Sequence, residues 1–107
     1  MKYDKMSDFE INLAVAKKLG LIIDHRQHSG LAVQVCDSEY HGWYTVNYCH
    51  DWSDIGPIIE KNKLWLQPDM IGDGYWHCYD LDDNHSAKGA NPKRASAICF
   101  LMMQESK

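Results

Sequence analysis

Two adjacent pairs of metal-binding residue types stand out, Cys49-His50 and His77-Cys78. Paired ligands in zinc sites sit about two to four residues apart, so that both converge on one ion. Neighbours on a strand point to opposite faces, so His77 and Cys78 do not both ligate from a regular strand, and no metal is expected. His25, His28 and His85 fall in stretches that read as loops. Cys49, His50 and Asp51 also hold the residue types of a thiol nucleophile, a base and an orienting carboxylate. A strand running into a helix cap explains the same trio, so a small Cys/His-dependent enzyme stands as the alternative reading. Asp51 and Asp54 read as charges at a helix N-terminus. Gly72-Asp73-Gly74 reads as a hairpin turn rather than a phosphate loop. No cofactor is implied.

The aromatic residues form the third constellation. There are four Trp, six Tyr and two Phe, and most fall between Tyr40 and Tyr79. In a covered sheet such rings form core. On an exposed surface they stack on a planar base or anchor a partner protein. Trp52 is expected to be exposed, because it sits where a strand passes into a helix. An anion could sit at that same helix N-terminus. The candidate contact residues are therefore Trp43, Tyr48, Asp51, Trp52, Asn91 and Arg94.

Local signals place these residues on elements. Ser7 with Glu10 three residues on makes a capping box for a first helix, and Met6 is placed to staple against Ile11. Phe9, Leu13, Ala16 and Leu19 share a broad helical face, and Gly20 is placed to stop the helix. Strands are expected over 21–23, 31–36 and 42–48, with polar turns at 25–30 and 37–42. A second helix is expected near 53–61, starting at about Asp54 or Ile55, because Pro57 is tolerated only in a first turn. Ile55, Ile58 and Ile59 form its apolar face, and Asn62 can end it. Residues 63–67 and 75–79 read as a hairpin that sets Trp65 and Trp76 on adjacent antiparallel strands. Residues 81–90 read as a loop. Asn91 caps the last helix with Pro92 at its first position. Residues 95–103 are nearly all apolar or small, so this helix is buried on more than one side, centrally or at a subunit interface.

The expected fold class is α+β: a mainly antiparallel four- to five-stranded sheet with helices packed on both faces, an α/β/α sandwich. At 107 residues the chain has room for one domain spanning residues 1–107. A 45% hydrophobic and 24% charged composition argues against disorder. The net charge of −4 argues against general nucleic-acid binding, which draws on Lys and Arg at phosphates. No apolar run approaches the roughly 18 residues of a membrane span. The polar stretch over residues 1–9 has no secretory character. Cys36, Cys49, Cys78 and Cys99 are accordingly expected as reduced thiols of a cytoplasmic protein.

Three stretches together resemble small proteins of tailed phages and prophages. They are Ser7-Asp8-Phe9-Glu10-Ile11-Asn12 with Val15-Ala16 and Leu19-Gly20; Tyr48-Cys49-His50-Asp51-Trp52-Ser53-Asp54-Ile55; and Asn91-Pro92-Lys93-Arg94-Ala95 leading into Phe100-Leu101-Met102-Met103. Their order is similar to the NinX-like phage proteins, and the architecture resembles the phage ABA-sandwich domain. The resemblance implies a phage origin, a setting in the bacterial cytoplasm and that fold class. It transfers no catalytic residues. The function expected is that of a non-catalytic binding module acting on a host protein or a small nucleotide-like ligand, with self-association through the last helix.

Overall fold

The helix boundaries follow the local chemistry of their ends. Ser7 accepts from the backbone of Glu10, and Glu10 reaches back to the backbone of Ser7, closing the capping box of helix α1 (Asp8–Lys18). Gly20, at φ +78°, ends it: its N–H reaches Lys17 and that of Leu21 reaches Ala16, the paired bonds of a Schellman stop. The computed structural model describes residues 3–24, 32–37, 42–68, 72, 74–80 and 85–105. The turns expected at 25–30 and 38–41, His25 and His28 within the first, Asp73, and residues 81–84 lie outside the described residues.

After α1 come β1 (Ile22–Ile23), β2 (Val33–Cys36) and β3 (Tyr44–Val46), then helix α2 (Trp52–Asn62). β4 (Trp65–Gln67), β5 (Trp76–Tyr79), β6 (Ser86–Gly89) and helix α3 (Pro92–Glu105) complete the chain. The strands do not join into the expected single sheet. They form two three-stranded antiparallel sheets, β1-β2-β3 and β4-β5-β6. α2 intervenes between β3 and β4, and among the described residues the strands of each sheet pair in sequence order. α1 covers β1 and β2, α3 covers β5 and β6, and α1 and α2 both pack on α3. The helices thus stand between the sheets rather than outside one.

Three local expectations change with it. Residues 86–89, read as loop, form β6, paired with β5 from Trp76↔Gly89 to Tyr79↔Ser86. The segment Ser-Ala-Lys-Gly has weak strand propensity. Ala87 and Gly89 lie under α3, and a Cβ on Gly89 would stand 2.9 Å from the Ala95 nitrogen, so only glycine admits the helix this closely. α2 starts at Trp52, capped by Asp51, which places Pro57 inside the helix and denies the Ser53 carbonyl its usual donor. Both residues are exposed, so water can serve that carbonyl. The strand expected over 42–48 shrinks to β3 because residues 48–50 form a turn, with the N–H groups of His50 and Asp51 reaching the Asn47 carbonyl.

The core runs through the helices. Ile11, Val15, Val33, Val35, Ile55 and Leu101 are almost wholly buried. On α1 the buried face is Ile11, Asn12, Val15 and Ala16, while Leu19 is 43% exposed, a rotation from the face expected. On α3 every residue from Ala95 to Leu101 is buried within the chain, and Met102 and Met103 are half-buried. All four cysteines are buried, and none is joined in a disulfide among the described residues. Among the described residues no helix is long and apolar enough to cross a membrane.

Candidate functional site

The turn between β3 and α2 organises two neighbouring regions. Asn12, fully buried on α1, donates from Nδ2 to the Asn47 side chain (2.9 Å) and accepts the backbone N–H of Cys49 (3.0 Å). Asp54, in the first turn of α2, accepts the backbone N–H of Asn47 at 2.8 Å. Held from both sides, the turn sends Tyr48 one way and His50 the other.

On the His50 side the first turns of α1 and α3 meet. Arg94, in the first turn of α3, donates to Asp8 Oδ1, to the Met6 carbonyl (2.7 Å) and to the Tyr3 carbonyl (3.4 Å). His50 Nε2 lies 2.5 Å from Asp8 Oδ2. Burial works against the Asp8 carboxylate, but the hydrogen bonds and charge of His50 and Arg94 outweigh it and hold the carboxyl below its ordinary range. Asp51 accepts from the backbone and hydroxyl of Ser53. Asn91 accepts the backbone N–H of Arg94 at 2.9 Å, as an N-cap. Trp52, half exposed, carries the Lys93 ammonium 4.7 Å above its ring. Four of the six residues singled out from the sequence therefore fall at these helix ends: Asp51, Trp52, Asn91 and Arg94. Of these, Asp51, Asn91 and Arg94 are committed to holding the helices. Trp43, 44% exposed, stands apart from this cluster and from the groove described next.

The trio Cys49, His50 and Asp51 does not come together. His50 turns to Asp8 and Asp51 to Ser53. Cys49 is fully buried, and its sulfur faces the Asp8 carbonyl at 3.8 Å. Burial, then the Asp8 charge, push its thiol up to about 12, the opposite of an activated nucleophile. Cys78 lies on the buried face of β5, while the neighbouring His77 occupies the other face, as strand alternation requires. Among the described residues no three His, Cys, Asp or Glu side chains gather as a metal site would need.

On the Tyr48 side lies an open groove of about 570 Å³ between β3, the end of α1, and helices α2 and α3. Leu21, Val46, Ile58 and Phe100 supply apolar lining, and Tyr44, Tyr48 and Asp54 polar lining; Lys18 and Lys61 line it as well. Its size falls in the range of small-molecule sites, about 300–1,000 Å³. Tyr48 is 3% exposed, yet among the described residues its hydroxyl makes no hydrogen bond. A buried tyrosine hydroxyl normally finds a partner. Burial raises the Tyr48 phenol above its ordinary value, and the negative charge of Asp54 adds to this, so hydroxyl and carboxylate share one electrostatic neighbourhood. Tyr44 is raised in the same sense by burial and by Asp37, with a smaller push from Asp54. Burial and the nearby Asp51 raise Asp54 itself, with the Asn47 N–H as partial relief.

Of the six residues named from the sequence, Tyr48 alone lines the groove. Tyr44, Asp54, Lys18 and Lys61 were missed. Tyr44 had a legible signal, its two-residue spacing from Val46 and Tyr48. The lysines had none, since Lys18 reads as an ordinary helix-end charge.

A family model described as bacteriophage P22, NinX, matches residues 2–104. The chain belongs to this family. The match covers both regions just described: the Arg94 cluster at the helix ends and the whole lining of the groove, from Lys18 to Gln104. The NinX assignment carries phage origin with it. No curated protein matches the chain.

Proposed function

We propose that this NinX-family chain is a non-catalytic accessory protein that acts in the cytoplasm of the bacterial host and takes a small, nucleotide-like ligand into the groove beside Tyr48. The observation that carries the reading is the Tyr48 hydroxyl: the residue is 3% exposed, and the hydroxyl still has no partner among the described residues. Apolar walls for a flat ring, hydroxyls for orientation and two lysines for an anionic group support the same ligand class. The raised Cys49 thiol supports binding over thiol chemistry.

Thermal shift against a panel of nucleosides and mononucleotides tests it. A true ligand raises the melting temperature with concentration, and Tyr48→Phe reduces that shift. No shift with any of them at millimolar concentration removes the reading. The exposed rings of Trp43, Trp52 and Trp65 favour a second reading, a host protein partner. Recovery of one host protein from bacterial lysate by the wild type, and its loss with Trp52→Ala, distinguishes that case.

A further inference from the structure

Resting on that reading of the groove, we infer that Asp54 reads the ring edge of the ligand and selects a guanine-type edge, one with two N–H donors side by side. The Asp54 carboxylate enters the groove from the first turn of α2. Its Oδ2 accepts the Asn47 N–H at 2.8 Å. Among the described residues no other group hydrogen-bonds to this carboxylate and no cation pairs with it. A carboxylate has about four acceptor positions and no donor. Tyr44 and Tyr48 stand close enough to feel its charge without bonding to it. The groove lining therefore presents an anion with open acceptor positions, together with the buried Tyr48 and its unpartnered hydroxyl.

The four common bases meet this edge differently. Guanine offers N1–H and N2–H together, a fork that a carboxylate takes with both oxygens in charge-assisted bonds. Adenine and cytosine each set one amino donor beside a ring nitrogen whose lone pair would face the carboxylate. Uracil sets a single N–H between two carbonyl oxygens. Each of the three places negative density against Asp54 where guanine would place a second donor, which costs affinity relative to guanine. Lys18 and Lys61, which form no ion pair among the described residues, remain for the anionic group. The chemistry named is an anion carrying a flat ring with adjacent N–H donors, and GMP is its simplest probe.

The experiment is isothermal titration of the full chain with GMP, AMP, CMP and UMP, with guanosine and inorganic phosphate as partial probes. The expected result is GMP at least tenfold tighter than the other three nucleotides, and tighter than guanosine or phosphate. In Asp54→Asn the side chain offers one acceptor and one donor, so GMP weakens at least tenfold and AMP strengthens. Asn keeps an acceptor for the Asn47 N–H, and the wild-type panel decides even if the variant folds poorly. Equal binding of all four nucleotides, or a guanine preference that survives Asp54→Asn, overturns the assignment of Asp54 and leaves the groove as the binding site. Absence of binding by every probe overturns both.

Discussion

Asp8 and Asp54 lie on opposite sides of one turn, and their surroundings differ in kind. Asp8 sits between Arg94 and His50 at the meeting helix ends, with both carboxylate oxygens engaged. Asp54 sits in the groove with one backbone N–H and two tyrosines that offer it no hydrogen bond. The first carboxyl is held below its ordinary range and the second is raised above it. Charges that hold a fold together find their partners inside the chain. A half-buried carboxylate left with open acceptor positions lowers stability and is better placed to meet something from outside. The contrast separates a carboxylate engaged in holding the helix ends from one whose acceptor positions stay open among the described residues.

The largest effect expected is from Arg94→Ala, which frees Asp8 and two carbonyls at once. Loss of a largely buried charged partner costs about 3 kcal/mol, a drop in melting temperature of roughly 10–20 °C for a chain of this size. Arg94→Lys should recover little, because an ammonium does not span a carboxylate and two carbonyls. A loss under about 1 kcal/mol by chemical denaturation would show that the helix ends do not depend on this cluster.

The two aspartates should next separate by the sign of their pH response. A depressed folded-state carboxyl adds stability above its unfolded pKa and loses it as pH falls through the lower folded value. Asp8 has that sense, so Asp8→Asn should destabilise at pH 7 and flatten the loss of stability below about pH 4. A raised carboxyl works in reverse, stabilising only while protonated. Asp54→Asn should therefore be neutral or stabilising at pH 7. Denaturation of both variants between pH 3 and 7 checks this, and equal destabilisation by the two would erase the contrast.

A smaller change is expected at the end of α2. Lys63 sits at φ 54°, ψ 45° in the left-handed region, which costs a residue with a Cβ about 1 kcal/mol. Lys63→Gly should raise the melting temperature by several degrees and leave ligand binding unchanged, since Lys63 is outside the groove. The smallest effect on stability belongs to Tyr48→Phe. Removing a hydroxyl without a partner should cost less than about 0.5 kcal/mol, against the roughly 1 kcal/mol of a typical lost hydrogen bond. A stability loss well above that would mean Tyr48 belongs with the structural group, not with the groove.

Much of the element order was legible because the signals are local. The Ser7–Glu10 capping box, the Gly20 stop and the Asn91-Pro92 start each rest on bonds within a few residues, so sequence spacing alone predicts them. β6 was missed because its strand state comes from pairing with β5 and from the fit of Gly89 beneath Ala95, not from its own residue types. The exposure of Trp52 was anticipated. That of Trp43 and Trp65 was left open by alternation, which separates two faces without saying which of them a helix covers.

By itself the sequence determined where α1 begins and ends, where α3 begins, the α+β class and the phage resemblance, because caps, stops and periodicity act over a single turn of chain. The tertiary structure alone decided that the strands divide into two sheets around the helices. It also joined Arg94 to Asp8 across 86 positions and left Tyr48 and Asp54 facing one groove. Such pairings depend on which surfaces meet when the chain collapses, and no spacing along the backbone encodes that distance.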